Sequence, residues 1–172
     1  MEQKKPISHL VAGLLIAAIM VVYSLFLYFL DLWQNQAMGW LAYLIFIIAL
    51  IVFINQHGKA NDYRLSFGSL FGYGFKITAI VTLIVILFTV IIFMAFPEYK
   101  EKMIEVSRQT MEDQGTNDEQ VDQAMSMMSR NFVLFAVMGA LFGYLIIGCI
   151  GSLIGAAVTK KKPQSPFEQT SF

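Results

Sequence analysis

Four long apolar runs, separated by shorter polar segments, dominate the pattern of hydrophobic and polar positions along this chain. They cover residues 10–30, 38–54, 77–96 and 132–158, and none of them contains an aspartate, glutamate, lysine or arginine. Each is close to the roughly 20 residues that a helix needs to cross a hydrocarbon core about 30 Å thick. Because lipid offers no hydrogen-bond partners, such a segment must satisfy its backbone as a helix. The pattern predicts an all-α, polytopic membrane protein with four transmembrane helices in a single membrane domain, residues 1–172.

Residues 97–131, between the third and fourth runs, are polar and predict a soluble helical hairpin. Pro97 suits the first turn of a helix, and Gly115 ends the helical pattern that follows it. Residues 116–119 have the arrangement of a capping box, which predicts a second helix continuous with the fourth run. Apolar stripes on the two helices either pack against each other or form a groove for a partner. The predicted interaction face of the hairpin consists of Met103, Val121, Met125 and Met128.

Polar residues and glycines in the second connection set the expected ends of the helices there. Residues 55–58 are expected to stop the second helix, which leaves His57 as a solvated loop residue. Residues 67–76 are rich in aromatic residues and glycine and are predicted to lie along the lipid headgroups before the third helix begins, with a re-entrant loop as the alternative. Lys76 would then extend to the membrane surface.

Charged residues make up only 14% of the chain and hydrophobic residues 57%, a composition outside the range of ordinary soluble domains. The hairpin combines four basic residues with eight carboxylates, whereas the other eight basic residues flank the remaining runs. Because short segments rich in lysine and arginine stay in the cytoplasm, we predict cytoplasmic termini and an extracytoplasmic hairpin. The first run is longer than the apolar core of a secretory signal, so we expect a retained helix. The eight flanking residues are Lys4, Lys5, Lys59, Arg64, Lys76, Lys160, Lys161 and Lys162.

The fourth run is rich in small residues, which let membrane helices approach each other closely. At about 100° per residue, Gly139 and Gly143 point nearly opposite to a second cluster further along the helix. We expect both faces to pack against neighbours in the same bundle, and the alternative is that one of them joins two molecules. The candidate packing residues are Gly139, Gly143, Gly148, Gly151 and Gly155.

Thr78, Thr82 and Thr89 form a thin polar stripe on the third run, because they fall within roughly 40° of each other around the helix. The stripe is compatible with a narrow polar path, but threonine also bonds to its own helix or to a neighbour, and this is the favoured interpretation. Transporters coupled to protons or ions usually carry a charged group near the middle of the membrane. Here Asp31 and Lys76 belong to opposite ends of the spans, which argues against a coupled transporter.

No group of residues in the sequence specifies a reaction. His9 and His57 are far apart along the chain and in different settings, so we expect neither a metal site nor a nucleophile-base pair from them. The acidic residues of the hairpin lack the alternating oxygen ligands and the glycine of a calcium loop. Cys149 is the only cysteine and is expected to be a small packed side chain. We therefore predict a protein that is not an enzyme, with no cofactor, no metal and no nucleic-acid partner.

Several short motifs follow one another along most of the chain. They are Leu65-Ser66-Phe67-Gly68, Tyr73-Gly74-Phe75-Lys76, Pro97-Glu98-Tyr99, Glu101-Lys102-Met103, Asp118-Glu119-Gln120-Val121 and the glycine-rich last run that ends in Lys160 to Lys162. In their order and spacing they resemble the bacterial membrane proteins grouped as domain of unknown function 4199. The resemblance implies a four-helix protein of the bacterial inner membrane, and that family carries no assigned activity or functional residues to transfer.

The leading hypothesis is a non-enzymatic interaction, accessory or structural membrane protein that acts through the hairpin and the small-residue faces of the last helix. Its expected partners are membrane lipid and either a second copy of the chain or another membrane protein. The alternative is a small oligomeric channel or uncoupled transporter with the threonine stripe along its path.

Overall fold

Five helices account for most of the described chain. In the computed structural model, which describes residues 6–162, they are α1 (His9–Phe29), α2 (Gln36–Ala60), α3 (Phe67–Ala95), α4 (Pro97–Asp113) and α5 (Asp118–Val158). All except α4 are long and apolar enough to cross a membrane, by length and composition. The prediction of four such helices is confirmed. The basic residues Lys4 and Lys5 lie outside the described residues.

Side-chain caps and a proline set the starts of three helices. The first N–H groups of a helix have no partner within it, so a polar side chain just ahead of them stabilises that end. The Ser8 hydroxyl accepts from the Val11 N–H at 3.2 Å, and the Asn35 side chain accepts from the Ala37 N–H at 2.9 Å. Pro97 occupies the first turn of α4, as predicted.

The cap of α5 lies one residue later than the predicted capping box would place it. The Asn117 side chain accepts from the Glu119 N–H at 3.0 Å. Thr116 instead donates its backbone N–H to the Met111 carbonyl at 3.1 Å and so completes the last turn of α4. Gly115 makes this turn possible, because its φ of 74° lies in the left-handed region that glycine adopts without steric cost.

The connection between α2 and α3 is shorter than predicted, because both helices extend into it. The prediction that α2 ends at residues 55–58, with His57 in a loop, is wrong, since the helix continues to Ala60. α3 begins at Phe67 and not at residue 77, so the segment expected to be an interfacial lead-in or a re-entrant loop forms its first turns. Tertiary packing overrides local polarity here, since the added turns bury Gly58, Leu70 and Tyr73.

The described chain forms two compact units. Unit 1 comprises α1, α2, the part of α3 up to Thr82 and the part of α5 from Tyr144. In this unit the Tyr23 hydroxyl donates to the Met38 carbonyl at 2.9 Å and links α1 to the start of α2. Its core is apolar, and the largest fully buried apolar side chains are Ile16, Met20, Phe46, Leu50, Ile54, Leu70, Ile77 and Val81.

Unit 2 spans Leu83–Gly143 and contains the end of α3, all of α4 and the first part of α5. The hairpin packs on itself here, since Val121 is buried and Arg108 of α4 pairs with Asp122 of α5 at 3.0 Å. α5 has a kink at Asn131, where φ is −116° and ψ is 22°. The kink falls at the boundary that the sequence predicts between the hairpin and the fourth apolar run.

The outer surface of the long helices is apolar. Val22, Leu83, Ile91 and Phe142 each expose more than half of their side chains. A protein that folds in water rarely exposes large contiguous apolar patches, whereas lipid accepts them at no cost. The distribution of exposed side chains is therefore that of helices surrounded by lipid.

Candidate functional site

α3 and α5 approach each other closely within unit 1. A Cβ placed on Gly148 of α5 would meet the side chain of Thr78 of α3, 2.5 Å from its Oγ1 and 2.9 Å from its Cβ. A Cβ on Gly74 of α3 would lie 2.8 Å from Oγ of Ser152 of α5. A real Cβ atom essentially never comes so close to another heavy atom. The space that a side chain at each glycine would need is therefore occupied by Thr78 or Ser152 of the opposite helix.

This pairing is reciprocal and antiparallel. On α3 a glycine at position 74 is followed four residues later by a threonine, and on α5 a glycine at position 148 is followed four residues later by a serine. Position 74 lies opposite position 152, and position 78 lies opposite position 148, as expected for two helices that run in opposite directions. Small residues on both partners let the backbones come within close range, and this is how helices associate where no hydrophobic effect operates.

Three buried hydroxyls in this region lack a hydrogen-bond partner. Thr78, Thr82 and Ser152 are at most 3% exposed, and their Oγ atoms have no partner among the described residues. An unpaired buried hydroxyl costs about 1–3 kcal/mol. Thr89 differs, since its hydroxyl donates to the Val85 carbonyl at 2.8 Å, as threonine in a membrane helix is expected to do. The hydroxyls of Thr78 and Ser152 lie instead against glycines, whose Cα–H groups are weak donors.

The same stretch of α5 also packs against α2. A Cβ on Gly151 would lie 3.1 Å from Leu50 Cδ1, and a Cβ on Gly155 would lie 2.6 Å from Ile54 Cδ1. Together with Gly148, these two glycines place the end of α5 against both α2 and α3 within unit 1.

The other glycine pair of α5 lies in unit 2, and one of its members is open. Gly139 is exposed, and no described atom lies within 4 Å of the position that its Cβ would take. Gly143 is half-buried. The face of α5 that carries Gly139 is therefore open, whereas the nearly opposite face, which carries Gly148, Gly151 and Gly155, packs against α2 and α3.

His57, at one end of unit 1, takes part in an aromatic contact that the sequence did not predict. Its ring stacks on that of Tyr73, with centroids 3.8 Å apart and planes at 7°, and the Tyr73 hydroxyl donates to the Ile7 carbonyl at 2.9 Å. His9, the first residue of α1, is exposed, whereas His57 on α2 is half-buried.

The predicted interaction face of the hairpin is partly used inside unit 2. Val121 and Met125 are 1% and 4% exposed, so they contribute to the packing of the hairpin itself. Met103 and Met128 are half-buried and keep part of their surface accessible.

Residues able to hold a metal ion do not gather in the described part of the chain. Between residues 6 and 162 there is no group of three or more histidine, cysteine, aspartate and glutamate side chains with that arrangement. Cys149 is a free, half-buried thiol on α5. The arrangement described above holds helices together and offers hydroxyl groups for hydrogen bonding.

Comparison with known proteins identifies one family. The profile of the family described as "Protein of unknown function (DUF4199)" matches residues 12–161, which includes most of both units. No curated protein and no solved structure matches the chain. The resemblance that the short sequence motifs indicate is therefore confirmed at the level of the family.

Proposed function

The chain belongs to the DUF4199 family of proteins of unknown function, and we propose that it is a non-enzymatic protein of the bacterial inner membrane that acts by associating with other membrane helices. Its four candidate spans and apolar exterior support a membrane location. Seven of the twelve basic residues belong to the terminal segments, the last turn of α2 and the α2–α3 connection, and Lys76 lies in the third turn of α3. This distribution supports cytoplasmic termini and a hairpin on the opposite side.

The open face of α5 around Gly139 carries this proposal. No residue of α5 from Val133 to Ile147 is buried. Gly139 leaves a gap on this helix, and the large apolar side chains of Phe135 and Phe142 nearby are exposed. A second helix can pack closely into such a gap. The later glycines of α5 already pack inside unit 1, so they are not available for this role.

We propose a second copy of the chain as the first partner to test. A symmetric contact uses the same patch on both molecules, so one open face is enough to form it. Another membrane protein with a complementary helix is the alternative occupant of the same face.

Filling the gap with Gly139→Leu and Gly143→Leu together should weaken self-association. Overpacking a close contact costs about 1–3 kcal/mol, so we expect a loss of about tenfold or more in the association constant. Native mass spectrometry of protein extracted gently from its membrane reads the number of subunits directly.

The matched control is Gly39→Leu, at an exposed position of α2 where no described atom lies within 4 Å of the added Cβ. This variant should keep the subunit number of the wild type. An unchanged subunit number in the Gly139/Gly143 double variant would contradict the proposal, while a stoichiometric foreign subunit that the double variant loses would assign the face to another protein.

A second candidate function, a small oligomeric channel or uncoupled transporter, is favoured by the unpaired hydroxyls of Thr78, Thr82 and Ser152. Hydroxyls without a protein partner can hydrogen-bond to a passing water molecule or polar solute. Such a path would need several copies of the chain, because α3 carries no charged side chain from Ile77 to Ala95, the stretch that contains Thr78 and Thr82.

Replacing Thr78 and Thr82 together by valine removes both hydroxyls and keeps the shape of the side chains. Because neither hydroxyl has a described partner, we expect the variant to be as stable as the wild type, or about 1 kcal/mol more stable. The measurement pairs thermal unfolding with solute flux into liposomes. Lost flux at full stability supports a channel, and unchanged flux excludes a path along these residues. Thr89→Val, which removes a paired hydroxyl, is the control.

A further inference from the structure

One end of unit 1 carries a concentration of positive charge. The last turn of α2, the α2–α3 connection and the segment after α5 together contain five basic residues and one carboxylate, Asp62. All five basic side chains are exposed. They are Lys59, Arg64, Lys160, Lys161 and Lys162.

The segment that follows α5 is held against this connection. The backbone N–H of Lys162 donates to the Tyr63 carbonyl at 2.8 Å, and Nζ of Lys161 lies over the ring of Phe67, 5.2 Å from its centroid. Asp62 and Tyr63 have φ of 54° and 60°, in the left-handed region that aspartate visits readily but that is uncommon for a bulky residue such as tyrosine. The lysines after α5 therefore have a defined position beside the start of α3.

A ladder of aromatic rings begins at the same place. Phe67, Phe71 and Phe75 follow one another at one-turn intervals along α3, with successive centroids 6.5 and 6.0 Å apart. Phe67 and Phe75 are 41% and 42% exposed. The ladder thus presents an apolar surface that leads from the lysines along a helix apolar enough to span a membrane.

We propose that this end of unit 1 binds one anionic glycerophospholipid. The lysines after α5 take the phosphate of the headgroup, and an acyl chain lies along the aromatic ladder. Charge complementarity selects an anionic headgroup, and basic clusters next to membrane spans are known to attract such lipids. The exposed ladder favours a lipid over a nucleic acid or an acidic peptide, because neither would cover an apolar surface beside the charges.

This site does not depend on association through Gly139. A chain that stays monomeric still presents the lysines and the ladder, both of which lie in unit 1. The two proposals can therefore fail separately.

The test uses full-length protein in a neutral detergent, titrated with phosphatidylglycerol or with phosphatidylcholine of identical acyl chains and read by native mass spectrometry. The wild type should retain phosphatidylglycerol in preference. Each basic residue near an anionic surface contributes roughly fivefold to binding, so Lys160→Gln, Lys161→Gln and Lys162→Gln together should weaken phosphatidylglycerol binding about a hundredfold. Phosphatidylcholine binding should stay within about twofold, since this lipid carries no net charge.

Two further variants separate a site from a general effect of charge. Lys100→Gln, Lys102→Gln and Arg130→Gln remove the same charge from unit 2 and should leave phosphatidylglycerol binding unchanged. Arginine at positions 160–162 keeps the charge and should restore binding. An equal loss in the unit 2 variant, equal retention of the two lipids by the wild type, or an unaffected glutamine variant would each overturn the proposal. Full displacement of the lipid by excess glycerol 3-phosphate or by polyglutamate would overturn it in favour of a free phosphate or an acidic peptide.

Discussion

Replacing Gly148 by leucine should destabilise unit 1 by about 3 kcal/mol or more, which is at or beyond the upper end of the usual cost of overpacking. Even a Cβ at this position would meet the side chain of Thr78. Thr78 is fully buried on α3 and cannot turn away into solvent. The leucine therefore forces α3 and α5 apart, and their separation also disturbs the neighbouring contact between Gly74 and Ser152.

Thermal unfolding in detergent, followed by size-exclusion chromatography, measures the loss. A double-mutant cycle sharpens the test, because Thr78→Gly removes the side chain that an added Cβ would meet. Gly148→Ala should cost about 1–3 kcal/mol in the wild-type background and clearly less in the Thr78→Gly background. Equal costs in the two backgrounds would show that the Thr78 side chain does not cause the destabilisation by Gly148→Ala. Gly39→Leu, at an open position of α2, should leave the unfolding temperature nearly unchanged.

Replacing Met125 by alanine should loosen the hairpin, at a cost of about 2–5 kcal/mol to the stability of unit 2. Met125 is 4% exposed and lies one turn after Val121, which is 1% exposed. Both belong to the face of α5 that is buried in this unit. The shorter side chain leaves a cavity that the helices can close only in part. The pair between Arg108 and Asp122 cannot compensate, because it is largely exposed and an exposed ion pair contributes at most about 1 kcal/mol.

Hydrogen exchange of the amides in residues 118–130 reports the effect locally, and limited proteolysis offers a second readout. Met127→Ala is the matched control: it makes the same chemical change two residues further along α5, at a side chain that is 56% exposed. Exchange in this control should match the wild type. Equally fast exchange in the two variants would mean that the buried face of the hairpin does not stabilise it.

The two proposed surfaces belong to different units of the molecule. The glycines at the end of α5 are used inside unit 1, whereas the face around Gly139 is open in unit 2. The basic end of unit 1 and its aromatic ladder suit a lipid headgroup and chain. The chain belongs to a family without an assigned activity, so these surfaces are the features from which a role can be inferred.

Local features of the sequence predicted most of the helices. The four apolar runs predicted the helices of membrane length because their apolar character and length are properties of consecutive residues. Pro97 marked the start of α4, because a residue in the first turn of a helix needs no backbone N–H and proline has none. The kink at Asn131 falls where the polar hairpin gives way to the apolar run.

The ends of α2 and α3 could not be predicted in the same way. Asn55 and His57 resemble residues of a helix end, yet α2 continues past them because Gly58 packs against Leu70 and Thr159. The contact between His57 and Tyr73 joins positions on different helices, and no local pattern links them.

The sequence by itself determined that the chain forms long apolar helices and that glycines lie on two opposite faces of the last one, because both follow from residue type and the 100° step of a helix. Only the tertiary structure decided which face is buried and which is open. Helix packing depends on the shapes of side chains distant in sequence: Thr78 and Ile54 fill the space left by Gly148 and Gly155, while no described neighbour approaches Gly139.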